Sequence, residues 1–198
     1  LMAAVALVDH SIEAILEPDS GRIDVRDTLT LPEGVDQIEL NLNRDFKPRV
    51  VGGLARIKRV GRSGHLASWR LSLEAPGPVT LAYGGVIQLG MERIDEGMGR
   101  GREVTAGIIG PDGVFLDSSS GWFPRAPDTL QRFRLRVRDP EGWHAVSQGE
   151  GPGRDGDWIT WSEDKPQDDI YLIAAPFELY RRDIGDIEDL ELAVPGSG

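Results

Sequence analysis

Apolar and polar residues alternate with a period of two along most of this chain, the pattern of strands with one face buried and the other in water. Ile12, Ala14 and Leu16 lie on one face, against Ser11, Glu13 and Ile15 on the other. After Pro18-Asp19-Ser20-Gly21, Ile23, Val25, Leu29 and Leu31 alternate with Asp24, Arg26, Thr28 and Thr30. Two such runs across a Pro/Gly turn predict a hairpin. Asp27 falls on the apolar side, which a bulge or the strand's open end would accommodate. Further strands are predicted around Ile38, Leu40 and Leu42, around Trp69, Leu71 and Leu73, and over 79–83. They continue at Phe133, Leu135 and Val137, and over 143–147, 158–161 and 170–180. Val50 to Val60 reads as a weaker strand broken by Gly52-Gly53. Arg181 to Val194 fits two patterns: Ile184, Ile187 and Leu190 share a helical face, while Leu190, Leu192 and Val194 suit a strand. No amphipathic helix of about twelve or more residues is evident. The expectation is an all-β, antiparallel fold in one domain over residues 1–198, either a β-sandwich or a saddle-like multi-stranded sheet.

Two stretches break the alternation. Residues 90–110 contain Gly97-Met98-Gly99-Arg100-Gly101 and read as a long mobile loop or insertion. Residues 113–120 read as a second loop, with three serines running into Gly121-Trp122-Phe123-Pro124. The strand at 132–138 follows, alternating arginine with apolar residues.

Composition narrows the function classes. With 33 Asp and Glu against 22 Lys and Arg, the formal net charge is −11. Nucleic-acid binding needs clustered cations, so nucleic acid is not expected as a partner, nor is an anionic membrane surface. The chain has no cysteine, which excludes disulfides, thiolate metal sites and a cysteine nucleophile. Leu1 to Val8 is apolar but far shorter than the ~20 residues that span a bilayer. It fits either a first strand or the tail of a trimmed signal or anchor, and a bacterial periplasmic or membrane-anchored extracytoplasmic location is expected over a cytoplasmic one.

No self-sufficient catalytic constellation emerges. His10, His65 and His144 are far apart and lack ligand-spaced partners for zinc. Ser118-Ser119-Ser120 lacks a nucleophile elbow and suits turn capping. The glycine-rich run at 97–101 is not followed by a helix that could face a phosphate. Asp155-Gly156-Asp157 and the acids over 183–191 only faintly resemble a calcium loop, and solvated faces suit them better. Trp69 and Trp143 sit in strands and are expected in the core, whereas Trp158 and Trp161, three apart, point to opposite faces.

Four blocks, in order, resemble the N-terminal β-domain of the M1 zinc aminopeptidases, the aminopeptidase N and leukotriene A4 hydrolase group. They are the hairpin from His10 to Leu31, Leu81-Ala82-Tyr83-Gly84-Gly85, and Trp122-Phe123-Pro124 with the strand at 133–137 and Pro140. The fourth runs from Trp161 to Phe177, with Pro166 and Tyr171-Leu172-Ile173-Ala174. Trp122, Phe123, Pro124 and Tyr171 are the signature positions, with a structural role. The chain departs from the family at the aromatic-proline turn. It reads Phe123-Pro124-Arg125-Ala126-Pro127 where members commonly carry Cys and an Asp-Glu pair.

The resemblance implies a non-catalytic domain, with no catalytic residue, metal ligand or cofactor of its own. Zinc is expected in a catalytic domain that this sequence does not contain. The implied partners are that downstream domain and, through it, a peptide substrate. Asp112, Gly113, Val114, Phe115 and Asp117 are the candidates for walling the substrate cleft, with Asp112 and Asp117 the nearest acids to where members hold the substrate's amino terminus. The alternative from another class is a free-standing β-sandwich that binds carbohydrate or protein through Trp122, Trp158 or Trp161.

Overall fold

The opening hairpin forms as its alternation predicts. In the computed structural model, which describes residues 6–94, 102–105, 107–184 and 187–193, β1 (Ala6–Glu17) pairs antiparallel with β2 (Arg22–Thr30). The two are joined by a 3-10 turn at Pro18–Ser20 that ends on Gly21 at φ 70°. Proline presets the turn's first φ, and glycine takes the left-handed end without steric cost.

This hairpin is the centre of a seven-stranded sheet. On one side β2 pairs with β7 (Val79–Val86), and β7 with the edge strand β4 (Arg49–Gly52). On the other side β1 pairs with β12 (Thr129–Arg138), followed by β15 (Trp158–Gln167) and β14 (Glu150–Asp155). The β1–β12 pair is parallel, in register from Ala6↔Thr129 to Ile15↔Arg138. The alternation predicts antiparallel pairing here too. Parallel neighbours need a long crossover, and more than a hundred residues separate these two strands.

A three-stranded sheet, β3 (Gln37–Asn43), β6 (Leu66–Leu73) and β5 (Ala55–Ser63), and a four-stranded sheet make up most of the rest. The latter runs β10 (Gly107–Gly110), β11 (Gly113–Leu116), β16 (Leu172–Ala175) and β13 (His144–Val146). Their inner faces and the inner face of the large sheet share one hydrophobic cluster, including Ile12, Leu29, Leu40, Leu71, Leu135 and Leu172. The all-β architecture is as expected.

Several segments differ from the sequence reading. Residues 50–60 are two strands in different sheets, because Gly53 turns the chain at φ 81°. In 90–110, β8 (Met91–Ile94) pairs with β9 (Arg102–Thr105), and β10 follows. The glycine-rich run at 97–101 and residues 1–5 lie outside the described residues. The 170–180 strand is divided at Pro176, which cannot donate to a ladder. β17 (Glu178–Ile184) then pairs with β18 (Ile187–Ala193), so 181–193 is a hairpin and the helical pattern there is not used; Val194 lies outside the described residues.

Asp27 is at neither a bulge nor an open end. The β1–β2 register is unbroken from Asp9↔Thr30 to Glu17↔Arg22. The carboxylate points into the core, where Oδ2 lies 2.7 Å from His10 Nδ1, and both side chains are 0% exposed. His10 shares the buried parity of Ile12 and Ala14, so both strands of the hairpin contribute one polar group to the same interior spot. His10 also meets the edge of Phe123, with ring centroids 5.7 Å apart.

Candidate functional site

The residues singled out as a cleft-reaching loop form a strand and a capped turn. Gly113–Leu116 is β11, held between β10 and β16. A segment alternating between core and solvent pairs readily once two neighbours offer free edges. Val114 is buried at 3% exposure and is closed to any ligand. Phe115 points outward at 36%, and Asp112 is exposed in the turn before the strand.

Outward positions align across this sheet. Ile108 faces Phe115, Phe115 faces Ile173, and Ile173 faces Val146. None of the four is fully buried, while their inward neighbours Ile109, Val114, Leu116, Leu172 and Ala174 are. The outer face of the four-stranded sheet therefore carries an apolar row of Ile108, Phe115 and Ile173, with Val146 at its end packed against the core cluster.

The serine turn is structural. Asp117 caps the 3-10 turn at Ser118–Ser120, its Oδ1 accepting from Ser119 N at 2.9 Å and Ser119 Oγ at 2.5 Å. Ser118 N and Oγ donate to the two oxygens of Asp169, at 2.8 and 2.9 Å. Ser120 Oγ donates to the Asp117 carbonyl, and His65 Nε2 donates to the Ser119 carbonyl. Among the described residues each hydroxyl donates to a cap or a bridge, the arrangement of a structural turn. Among the described residues no group of three or more His, Asp or Glu is arranged to hold a metal ion.

The turn leads into the aromatic signature. Gly121, at φ 69°, packs its Cα so close to β3 that a side chain would collide with the backbone of Leu42 and Asn43. Trp122 and Phe123 are 0% exposed, and Pro124 is buried. Trp122 Nε1 donates to the Ile170 carbonyl at 3.0 Å, which ties the turn to the start of β16. Burial and this hydrogen bond make the three residues part of the core packing. Trp161 is buried at 6% and donates to the Ala145 carbonyl, whereas Trp158 is half-exposed on the opposite face. Burial removes Trp122 and Trp161 as binding platforms. Trp69 and Trp143 are partly buried against the core.

Tyr171 stands at the rim, 41% exposed, beside Asp117, Asp168 and Asp169. Burial pushes the Asp169 carboxyl above the usual range, outweighing the hydrogen bonds from Ser118 and from the Ile170 N–H that favour its charged form. The charge of Asp169, then partial burial, then Asp168 and Asp117 push the Tyr171 phenol up in turn. Sequence reading missed Asp168 and Asp169 as parts of this rim. Asp169's partner Ser118 is 51 residues away, so local spacing carries no trace of the contact.

No family model and no curated protein matches this sequence. Solved structures do. A mutant of the M1 zinc metallopeptidase from Deinococcus radiodurans, bound to a Tyr-Ser-Ala substrate, aligns with a TM-score of 0.55 at 18% identity, over 98% of this chain and 49% of that one. A second structure of a mutant of that enzyme gives 0.57 at 17%, over 98% and 48%. A two-domain M1 zinc metallopeptidase mutant bound to L-tryptophan gives 0.54 at 18%, over 97% and 48%. The chain spans about half the length of the solved structures it matches. At such identity the likeness is one of fold, and the fold this chain carries is that of the N-terminal part of the M1 zinc metallopeptidases.

Proposed function

We propose that this chain is the non-catalytic N-terminal β-domain of an M1-type zinc metallopeptidase. It packs on the catalytic domain and forms one wall of the substrate cleft. The observation that carries this reading is the alignment of nearly the whole chain with about half of a two-domain peptidase. Zinc, and the water it activates, belong to the other domain. The outer row Ile108, Phe115 and Ile173 is the docking surface, because an apolar row of this kind gains by leaving water. The rim of Asp117, Asp168 and Asp169 beside Tyr171 borders the cleft, where its negative charge suits the cationic amino terminus of a peptide.

The test separates the two halves of the gene product. The 198-residue chain and the segment that follows it are expressed apart and mixed, and complex formation is followed by sedimentation velocity. A one-to-one complex, lost with Phe115→Asp, is expected. Failure of the halves to associate overturns the docking role. The chain alone with added zinc is expected to cleave no peptide, and robust cleavage would refute the assignment.

A further inference from the structure

The outer face of the seven-stranded sheet holds a trough whose charge opposes that of the whole chain. It is lined by Arg22, Arg26, Lys47 and Arg49 against two acids, Glu13 and Asp24, with Trp158 at one end and a space of about 420 Å³. Both acids are already engaged. Arg22 grips Asp24 with two hydrogen bonds, at 3.0 and 2.6 Å, and Glu13 accepts from Arg136 at 2.8 Å. Among the described residues, no ion pair joins Arg26, Lys47 or Arg49 to an acid. Arg26 faces Glu13 across the β1–β2 ladder, but that carboxylate accepts from Arg136, so three cations in a chain of net charge −11 share one concavity without an ion pair of their own.

Strand register explains the geometry. Arg26 of β2 and Arg49 of β4 both sit directly opposite Ala82 of β7. Their Cα atoms are two strand spacings apart, about 10 Å, so both guanidinium groups can lean over one small residue. The next outward position on β7 is Gly84, where a Cβ would meet the Ile23 carbonyl oxygen at 2.6 Å. No side chain can rise from the floor there. At the far end the Arg136 guanidinium lies 4.8 Å from the centre of the Trp158 ring. Two arginines of β12 on the same face are paired by register. Arg132 opposes and pairs with Asp9, and Arg136 opposes and pairs with Glu13. Arg134 also makes no ion pair among the described residues, but it lies between Ser11 and Ser162 in a separate hollow lined by Asp9 and Asp164.

We propose that this trough binds a phosphate-bearing ligand, with Arg26 and Arg49 as converging guanidinium donors and Lys47 as the third cation. Three cations around one point suit a doubly charged tetrahedral group, whereas a planar carboxylate is served by a single guanidinium fork. The site is remote from the four-stranded sheet and does not depend on the peptidase assignment. The phosphate comes from a soluble ester or from a lipid headgroup, and the experiment distinguishes them.

The protein is titrated with inorganic pyrophosphate at low salt and followed by backbone amide NMR. In parallel, it is sedimented with vesicles of phosphatidylcholine doped with phosphatidic acid. Saturable shifts are expected at Arg26, Arg49 and Ala82, weakening as salt rises. Arg26→Gln with Arg49→Gln is expected to lower affinity by roughly tenfold or more, since each removes a charge-assisted hydrogen bond. Arg134→Gln is expected to leave affinity within about twofold, as for an exposed charge outside the site. Pyrophosphate binding without vesicle binding assigns a soluble ligand. Vesicle binding that is lost in the double variant assigns a headgroup. The proposal is overturned if neither probe binds, if the shifts scatter away from the trough, or if Arg134→Gln weakens binding as much as the double variant. The shift map on the unmodified protein decides the matter if a variant does not fold.

Discussion

Removing His10 is expected to damage the fold more than removing Asp27, although the two make the same contact. The pair is fully buried, at 2.7 Å, and among the described residues His10 Nε2 and Asp27 Oδ1 have no hydrogen-bond partner. His10→Leu leaves a carboxylate in the core with neither oxygen bonded, and breaking a buried pair this way costs about 3–5 kcal/mol. Asp27→Leu leaves an imidazole, which has a neutral form available, so the cost falls to about 1–3 kcal/mol, that of an unsatisfied polar group. Replacing both by leucine removes the orphan as well as the bond. The double variant should lie within about 1 kcal/mol of the parent, since apolar replacement of a buried pair is often neutral or stabilising. Urea unfolding followed by tryptophan fluorescence measures all four proteins. Trp122 is fully buried, so its emission reports loss of the core. At about 2–4 °C per kcal/mol for a chain of this size, His10→Leu should lower Tm by roughly 6–20 °C. Single variants that each cost less than about 1 kcal/mol, or a double variant whose cost is the sum of the singles, would refute the reasoning.

Three further outcomes are expected. Gly121→Ala should destabilise by more than about 2 kcal/mol, because the left-handed conformation alone costs an alanine ~1–2 kcal/mol and its Cβ also meets the β3 backbone; calorimetry checks this. Trp122→Phe should cost about 1–3 kcal/mol by leaving the buried Ile170 carbonyl without its donor, measurable as a shift in urea midpoint. Asp169 should titrate above the ordinary aspartate range by carboxyl NMR, and Ser118→Ala should push it higher by removing one hydrogen bond to its charged form. Because the folded value is raised, the stability Asp169 contributes is present below the ordinary aspartate value and lost as pH climbs through the raised one, and Asp169→Asn should flatten that part of the profile.

The strands were legible because their alternation is local. The β1–β2 hairpin, β3, β6, β7, β12 and β15 follow from period-two patterns and turn chemistry alone. The strand at 113–116 was not, since a four-residue segment between a Pro-Asp-Gly turn and three serines has too little pattern to outweigh its flanks. It pairs because β10 and β16 present edges to it. The parallel β1–β12 pair was likewise invisible, as nothing local records an alignment across more than a hundred residues. The His10–Asp27 pair carried a readable signal. Both are polar residues on the apolar parity of adjacent strands, and that coincidence points to a mutual contact before it points to a bulge. The rim of Asp117 and Asp169 and the trough under Arg26 and Arg49 depend on which strands become neighbours, so spacing along the chain could not assemble them.

The central claim is that the outer face of the four-stranded sheet is covered by the rest of the protein. Hydroxyl-radical footprinting of Phe115 and Tyr171 tests it directly, comparing the isolated 198-residue chain with the full-length gene product. Both side chains are more than a third exposed in the isolated chain. The account predicts that both oxidise readily in the isolated chain, and that Phe115 is protected in the full-length protein while Tyr171, at the cleft rim, is protected less. Equal oxidation of Phe115 in the two proteins would contradict it.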